Sequence, residues 1–242
     1  MSGHRFHVPE AAPGARVSLP EHSAHHARDV LRLRPGAAVR VFDGAGAEFE
    51  AVLDKVSRQG VSARITATAD SLPESPLRIV LAVSPLRGDR MELVVQKATE
   101  LGVAEIRPVV TARTDAAARP ALKGSRQERW DKVASAAAEQ SGRAVVPRVA
   151  ATLTLDALLA EPSAGLKVLF LERSAAPALA GLPRPSDVLL LVGPAGGWED
   201  AEVAKATAAG FTSASIGPRI LRAETAAVAA VAAAQVLWGD LG

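Results

Sequence analysis

The stretch Leu189-Leu-Leu-Val-Gly-Pro-Ala-Gly-Gly-Trp198 decides how the second half of this chain folds. An uninterrupted apolar run is typical of a strand that is buried on both faces of a sheet. The glycines that follow predict a tight turn, and Glu199-Asp200 predicts the start of a helix. Glycines let a backbone approach a ligand closely, and a helix start offers free N–H groups. The segment is neither a P-loop nor a Gly-x-Gly-x-x-Gly motif, so taken alone it favours a plain strand-to-helix turn.

Around this stretch, strand-like runs alternate with segments of helical periodicity, which predicts an α/β domain. The predicted strands are 77–84, 106–110, 167–171, 188–192 and 211–216, and the predicted helices are 91–101, 127–141, 199–209 and 224–238. Glu224–Trp238 is apolar nearly all round, so we expect it to be buried on more than one side, as at a subunit interface. Residues 111–127 are expected to form a basic loop.

A second glycine-rich loop, Ile216–Thr225, precedes the last helix. Either Glu224 or Thr225 could cap that helix. Arg222 lies where a cation opposes the helix dipole, and it is interpreted either as a solvated loop charge or as a clamp on an anionic ligand. Two such loops after consecutive strands favour one shared ligand pocket.

The first seventy residues predict a different kind of domain. A helical segment over 22–33 is followed by alternating runs at 39–43, 48–53 and 61–67, and Asp43-Gly-Ala-Gly46 predicts a hairpin turn. Short strands joined by tight turns indicate a small β-barrel. Because Leu72–Pro76 has the composition of a linker, we expect two domains, residues 1–72 and residues 73–242.

Composition and charge narrow the possible functions. The chain has no cysteine, which excludes disulfides, thiolate metal sites and cysteine nucleophiles. No apolar run is long enough to cross a bilayer, and a cytoplasmic protein without membrane partners is expected. Lys and Arg outnumber Asp and Glu by 13 to 9 in residues 73–150, so attraction to phosphates is expected there. In the first domain, Arg28 and Arg32 are predicted to share a helix face near Arg34, as phosphate contacts.

Some polar groups favour an ordinary structural interpretation. His22, His25 and His26 have helical spacing, but no cysteine or carboxylate motif accompanies them. We therefore interpret them as solvent-facing rather than as metal ligands. Glu139–Arg143 is interpreted as the polar end of a helix.

Together these segments resemble the ribosomal RNA small subunit methyltransferase E family, within the SPOUT (trefoil-knot) methyltransferases. One segment alone would be weak evidence, but the series covers nearly the whole chain in the family's order. The matching segments are Arg5–Val8, Val30–Gly36, Phe42–Gly46, Arg87–Glu92, Gln96–Val103, Glu139–Arg143, Leu171–Arg173, Val192–Gly197 and Leu221–Ala226.

The resemblance implies a fold, a cofactor and a substrate. The fold is an α/β trefoil-knot methyltransferase domain, preceded by a small PUA-like β-barrel that binds RNA. The cofactor is S-adenosyl-L-methionine, with no metal. The protein is implied to be a homodimer that acts on 16S rRNA in the small ribosomal subunit, by N3-methylation of a uridine in the decoding region.

The resemblance also assigns site residues. The implied cofactor-binding residues are Leu171, Leu191, Val192, Gly193, Pro194, Gly196, Gly197, Ile216, Gly217, Ile220, Leu221, Arg222, Thr225 and Ala226. The expected RNA contacts are Arg28, Arg32, Arg34, Arg87, Arg90, Arg113 and Arg143.

The chemistry requires that a proton leave uridine N3. We expect Arg222 to stabilise the imide anion that develops, with solvent or a carboxylate taking the proton. Glu224 is the first candidate for that carboxylate, and Glu100 and Asp89 are the others.

Two positions depart from the family's pattern. Ala195 stands where the family has the Glu of Gly-Pro-Glu-Gly-Gly, and Ala223 replaces the first Thr of Leu-Arg-Thr-Glu-Thr. Ala195 favours a second hypothesis, that the chain is a catalytically weak RNA-binding or ribosome-assembly protein of the same fold. A third hypothesis is a SPOUT methyltransferase that acts on tRNA or large-subunit rRNA.

Overall fold

The computed structural model describes residues 3–115, 125–162, 165–172 and 178–242, and its contacts divide the chain into two compact units. The first unit is Met1–Glu74 together with Ser135–Val146, and the second is Ser75–Ala134 with Pro147–Gly242. The first unit is therefore built from two separate stretches of chain. Nothing in the sequence indicates that Ser135–Val146 joins it.

The first unit contains one largely antiparallel sheet. Its strands are β1 (Arg5–His7), β2 (Arg16–Ser18), β3 (Ala38–Phe42), β4 (Glu48–Ser57) and β5 (Gly60–Ala69). They lie in the order β1-β3-β4-β5-β2, in which β1 and β3 run parallel. Alternate side chains such as Val41, Leu53 and Ala63 point into a common apolar core, which explains the period-2 pattern of the sequence.

The first helical segment is shorter than predicted. It consists of α1 (Glu21–His25) and one π-helical turn (His26–Val30). The chain leaves the helix at Arg32, whose φ of 54° lies in the left-handed region. The prediction that Arg28 and Arg32 share a helix face is therefore wrong. The hairpin turn at Asp43 is confirmed, since its Oδ1 accepts hydrogen bonds from the N–H groups of Ala45 (2.7 Å) and Ala47 (3.0 Å).

The second unit is built on a parallel sheet, as the alternating pattern predicted. Its order is β12-β10-β11-β6-β7-β8, and β9 also pairs with β7. Every pair in it is parallel. The strands are β6 (Arg78–Val83), β7 (Glu105–Val110), β8 (Arg148–Val149), β9 (Leu153–Thr154), β10 (Leu166–Phe170), β11 (Asp187–Val192) and β12 (Thr212–Ala214).

Helices connect these strands. They are α2 (Arg90–Glu100), α3 (Ser125–Ser141), α4 (Leu155–Ala160), a 3-10 turn (Leu179–Gly181), α5 (Asp200–Ala208) and α6 (Ala223–Trp238). The last residues of α3 belong to the first unit. The prediction that Glu224 or Thr225 caps α6 is wrong, because both lie inside its first turn. Arg222 is the N-cap residue, and its side chain makes no capping hydrogen bond.

Candidate active site

Three loops leave neighbouring strands at one edge of the second unit's sheet. Strands β12, β10 and β11 are adjacent and parallel, so their carboxyl ends lie at the same edge. Ligands of open parallel sheets bind outside that edge. The loops that follow the three strands enclose a cavity of 720 Å³. Its wall consists of Arg113, Phe170, Leu171, Glu172, Val192, Gly193, Pro194, Gly196, Gly197, Trp198, Asp200, Val203, Ala204, Ile216, Gly217, Arg219, Leu221 and Ala223.

The first glycine-rich loop is packed too closely for side chains. A Cβ on Gly193 would lie 2.7 Å from the Trp198 ring, and a Cβ on Gly196 would lie 3.2 Å from Cβ of Arg113. Trp198 is itself held in place, because its Nε1 donates a hydrogen bond to the carbonyl oxygen of Phe170 (3.0 Å). Gly197 differs: it has open space around it, but its φ of 71° requires glycine.

A buried carboxylate ties two cavity loops together. Oε1 of Glu202 accepts a hydrogen bond from the N–H of Ala112 (2.8 Å), and Oε2 accepts one from the N–H of Glu199 (3.1 Å). Arg113, next to Ala112, donates from Nη1 to the carbonyl oxygen of Gly196 (3.2 Å). These bonds hold Arg113 against the first glycine-rich loop.

Most of the cofactor contacts implied by the sequence lie on the cavity wall. Those on the wall are Leu171, Val192, Gly193, Pro194, Gly196, Gly197, Ile216, Gly217 and Leu221. The others are not: Leu191 is fully buried in β11, Ile220 is 52% exposed, Arg222 and Thr225 are exposed, and Ala226 is half-buried. Arg173, in a segment that carries the resemblance, lies outside the described residues.

The candidate catalytic residues flank the start of α6. Arg222 is exposed. Glu224 is only 11% exposed at its side chain, and its Oε1 lies 3.7 Å from Nε of Arg90. Of the other candidate bases, Glu100 is paired with Lys97 (2.8 Å), and the side chain of Asp89 is 92% exposed. Glu224 is thus the most buried of these carboxylates.

The arginines predicted to contact RNA have different surroundings. Arg32, Arg34 and Arg87 are exposed. Arg28 is bonded to Asp29, whose carboxylate raises the pKa of the guanidinium. Arg143 is only 8% exposed, and its Nε donates to Glu74 (3.1 Å). The structure does not favour Arg143 as a phosphate contact, because its charge is buried and paired.

Sequence reasoning missed several wall residues. Phe170, Glu172, Asp200, Val203, Ala204 and Arg219 all line the cavity. Glu172 and Arg219 could have been found, because both lie inside segments that were already singled out. Arg113 was predicted as an RNA contact, whereas the structure places it at the cavity. Ala195 is exposed and does not line the cavity, although Pro194 and Gly196 on either side of it do.

Two features bear on other kinds of site. Within the described ranges, no group of three or more His, Asp or Glu side chains is arranged to hold a metal ion. No helix found in those ranges has the length and apolarity needed to span a membrane.

The fold and the site define an RNA methyltransferase with a PUA domain. Residues 73–235 match the family model described as an RNA methyltransferase domain, and residues 19–66 match an RNA methyltransferase PUA domain. A relative from Synechocystis, named ribosomal RNA small subunit methyltransferase E, is 36% identical over 93% of this chain and 74% of its own length. A relative of the same name from Bacillus subtilis is 32% identical over 96% of this chain and 94% of its own length.

A solved structure agrees with these matches. The ribosomal RNA small subunit methyltransferase E of Neisseria gonorrhoeae, bound to S-adenosyl methionine, superposes with a TM-score of 0.90 at 38% identity, covering 100% of both chains. The chain belongs to the ribosomal RNA small subunit methyltransferase E family. The predicted fold class, a SPOUT α/β methyltransferase domain after a PUA-like domain, is confirmed.

Proposed function

We propose that this protein transfers a methyl group from S-adenosylmethionine to N3 of a uridine in the decoding region of 16S rRNA. The observation that carries the proposal is the cavity at the edge of β12, β10 and β11, enclosed by the glycine-rich loops that the family shares. Action on the small ribosomal subunit would place the protein in the cytoplasm.

The cavity fits the cofactor in size and chemistry. Its 720 Å³ lies within the range of about 300–1,000 Å³ that is usual for small-molecule sites. S-adenosylmethionine supplies an electrophilic methyl group on a positively charged sulfur. Apolar side chains such as Leu171 and Leu221 offer a surface for a flat ring, while the cations Arg113 and Arg219 and the acids Glu172 and Asp200 suit its charged amino-acid end. The tight packing at Gly193 and Gly196 brings backbone groups to the wall.

The residues at the start of α6 would act on the uridine. Arg222 is exposed, so it can reach a bound RNA and stabilise the anion that forms when N3 loses its proton. Glu224 would accept that proton or pass it to solvent. Its carboxylate lies 3.7 Å from Nε of Arg90, which holds it at the start of α6.

The RNA would contact both parts of the chain. We propose a PUA-like RNA-binding domain over residues 1–72, whose compact unit also includes Ser135–Val146, and a methyltransferase domain in the rest of residues 73–242. The exposed Arg32, Arg34 and Arg87, together with Arg90, would bind phosphates, which position an RNA without reading its sequence.

Ala195 is the feature that favours a catalytically weak protein of the same fold. The wall residues on both sides of it, Pro194 and Gly196, are present, which supports cofactor binding despite the change. Ala195→Glu should then leave cofactor affinity unchanged in calorimetry.

The substrate is tested with small ribosomal subunits from a strain that lacks the enzyme. With S-adenosylmethionine, the protein should methylate intact small subunits and act poorly on naked rRNA. An N3-methyl group blocks the pairing edge, so primer extension should stop one nucleotide before the modified uridine. A stop on tRNA or large-subunit rRNA, with none on the small subunit, would favour the third hypothesis.

Gly193→Ala tests the cavity itself. The added Cβ would displace Trp198, so cofactor affinity measured by calorimetry should fall at least tenfold. Gly210→Ala is the matched control, because Gly210 has a φ of 87° but lies at the end of α5, away from the cavity. It should lower stability by about 1 kcal/mol and leave affinity unchanged. Equal affinities for both variants would place the cofactor elsewhere.

A further inference from the structure

A second cavity lies wholly within the first unit, where the segments Gly3–Phe6, His22–Leu31 and Ala136–Gly142 meet. Its volume is 850 Å³, which is large enough for a nucleotide. All of its wall residues belong to the first unit, whereas those of the candidate active site belong to the second. The proposed methyl transfer makes no use of it.

The charged groups of this wall already have partners. The guanidinium of Arg5 donates to both carboxylate oxygens of Glu48 (3.0 and 2.9 Å) and to the carbonyl oxygens of Ala138 and Glu139 (3.2 Å each). The carboxylate of Glu139 accepts hydrogen bonds from the N–H of His7 (2.8 Å) and the hydroxyl of Ser23 (3.1 Å). The charge of Arg5 is therefore not available to a phosphate, and Arg5 is the one Arg or Lys on the wall among the described residues.

Other polar groups remain for a ligand. The amide of Gln140 and the imidazoles of His4 and His26 are exposed at the rim. The hydroxyl oxygen of Ser141 is buried and has no hydrogen-bond partner within the described ranges. A buried hydroxyl without a partner has a free-energy cost, and a turn of the Ser141 side chain toward the cavity would let a bound hydrogen-bonding group remove it.

We propose that this cavity holds one unpaired base of the RNA substrate. A neutral base needs hydrogen bonds at its edge and flat groups against its faces, which amide, hydroxyl and imidazole side chains supply. Proteins that read RNA sequence do so mainly through bases that are unstacked from single-stranded loops. Arg32 and Arg34, exposed in the same unit, can bind the flanking phosphates. This inference rests on the proposed function in one respect, namely that the substrate is an RNA.

The test measures RNA binding without cofactor, using the full chain. The probes are a fluorescein-labelled single-stranded RNA of mixed sequence and a fully paired, blunt-ended duplex of the same composition. Ser141→Ala and Gln140→Ala should each weaken binding of the single strand about fivefold to tenfold, as expected for one lost hydrogen bond, and leave duplex binding unchanged. Ser141→Ala should keep or raise the unfolding temperature, because it removes an unsatisfied group.

His25→Ala and Gln59→Ala are matched controls, since both side chains are exposed in the same unit but lie off this wall. They should bind the single strand as the unchanged protein does. Cavity variants with unchanged single-strand affinity, or with equal losses on both probes, would overturn the proposal. Free nucleoside monophosphates that bind as tightly as the RNA would make this a small-molecule site and also overturn it. Calorimetry with S-adenosylmethionine is run in parallel, so that a failure of the proposed function shows there and not in the RNA readout.

Discussion

Arg5 shows how a single side chain holds the discontinuous first unit together. It begins β1, and its guanidinium reaches the carbonyl oxygens of Ala138 and Glu139 in the last turn of α3 and that of Arg143 just beyond it. A cation at a helix C-terminus satisfies open carbonyl groups and complements the helix dipole. The same guanidinium neutralises Glu48, whose side chain is only 2% exposed.

Arg5→Ala should lower the free energy of unfolding by about 3–5 kcal/mol, because it leaves the buried Glu48 carboxylate without its main partner. Arg40→Ala is the matched control. Its guanidinium also contacts Glu48, at 3.4 Å, but it is 42% exposed, so its loss should cost about 1 kcal/mol or less. Urea denaturation followed by circular dichroism measures both. Similar losses for the two variants would contradict a special role for Arg5.

Functional residues can be predicted from the sequence when residues that are close along the chain are also close in space. The glycines from Gly193 to Gly197 were found because one short loop contains them all. Arg5 could be found only as part of a motif, since its partners lie 43 and more than 130 residues away. The burial of Arg143 was missed for the same reason, because its partner Glu74 is 69 residues distant.

Helix α5 carries Glu202, a residue that does not line the cavity but holds two of its loops in place. Glu202 lies in its first turn, and through Ala112 and Glu199 it fixes two loops relative to each other. Arg113 is carried on the first of these loops. We therefore regard Glu202 as a positioning residue.

Glu202→Gln should raise the KM for S-adenosylmethionine severalfold and change kcat less. The amide keeps one acceptor oxygen, so one of the two loops loses its hydrogen bond. Lys205→Ala on the same helix is the control, because Lys205 is 58% exposed and its ion pair is with the exposed Asp156. A fall in kcat with KM unchanged would argue against positioning.

A pH effect is expected where β1 meets the end of α3. Burial lowers the pKa of His7, so the stability that its neutral ring contributes is complete above pH 6.5 and is lost as pH falls through the lowered pKa. Burial raises the pKa of Glu139, so its contribution is complete below pH 4.5 and is lost as pH rises through the raised pKa. The two contributions oppose each other between these values.

Glu139→Gln removes one of these opposing effects. The free energy of unfolding of the variant should therefore fall more steeply between pH 7 and pH 5 than that of the unchanged protein. Glu50→Gln, at an exposed position of β4, should leave the slope as it was. Denaturant titrations at several pH values measure the slopes. Parallel curves for Glu139→Gln would show that Glu139 does not titrate in this range.

Strands and helices could be predicted closely where the spacing of apolar residues is regular or where a residue such as glycine marks the end. The strand and helix at 77–84 and 91–101 lie within a residue of β6 and α2, and Gly102 ends α2 with a φ of 81° as expected. The short elements β1, β2, β8, β9 and α4 were missed, since two to six residues carry no recognisable period. The first helix was predicted to extend to Leu33, beyond its true end at Val30. The apolar pattern does not reveal the π-turn or the left-handed backbone of Arg32.

On the scale of the whole molecule, α6 remains the predicted subunit interface. One face of it, including Ala227, Val231 and Trp238, is buried within the protein. The other exposes Val236 (55%) and Leu237 (39%) near its end. Exposed apolar groups on a helix that is apolar all round favour a second copy of the chain as the cover.

Val236→Asp combined with Leu237→Asp should convert a homodimer to a monomer in sedimentation at micromolar concentration, because two charges would be buried at the interface. Leu72→Asp, at a position that is 62% exposed in the first unit, should leave the dimer intact. A monomer in the unchanged protein, or a dimer that survives the double change, would rule out this interface.

The discontinuity of the first unit also governs when it can form during synthesis. Its sheet is complete once Ala69 has been made, but the helix end that pairs with Arg5 and His7 arrives only with Ser135–Val146. At roughly 5–20 residues per second, translation takes several seconds to cover that interval. Until then, Arg5 and His7 in the nascent sheet lack their hydrogen-bond partners at the end of α3. Early chaperone contact on the ribosome would therefore be concentrated on this half-finished domain, although it is the first to be translated.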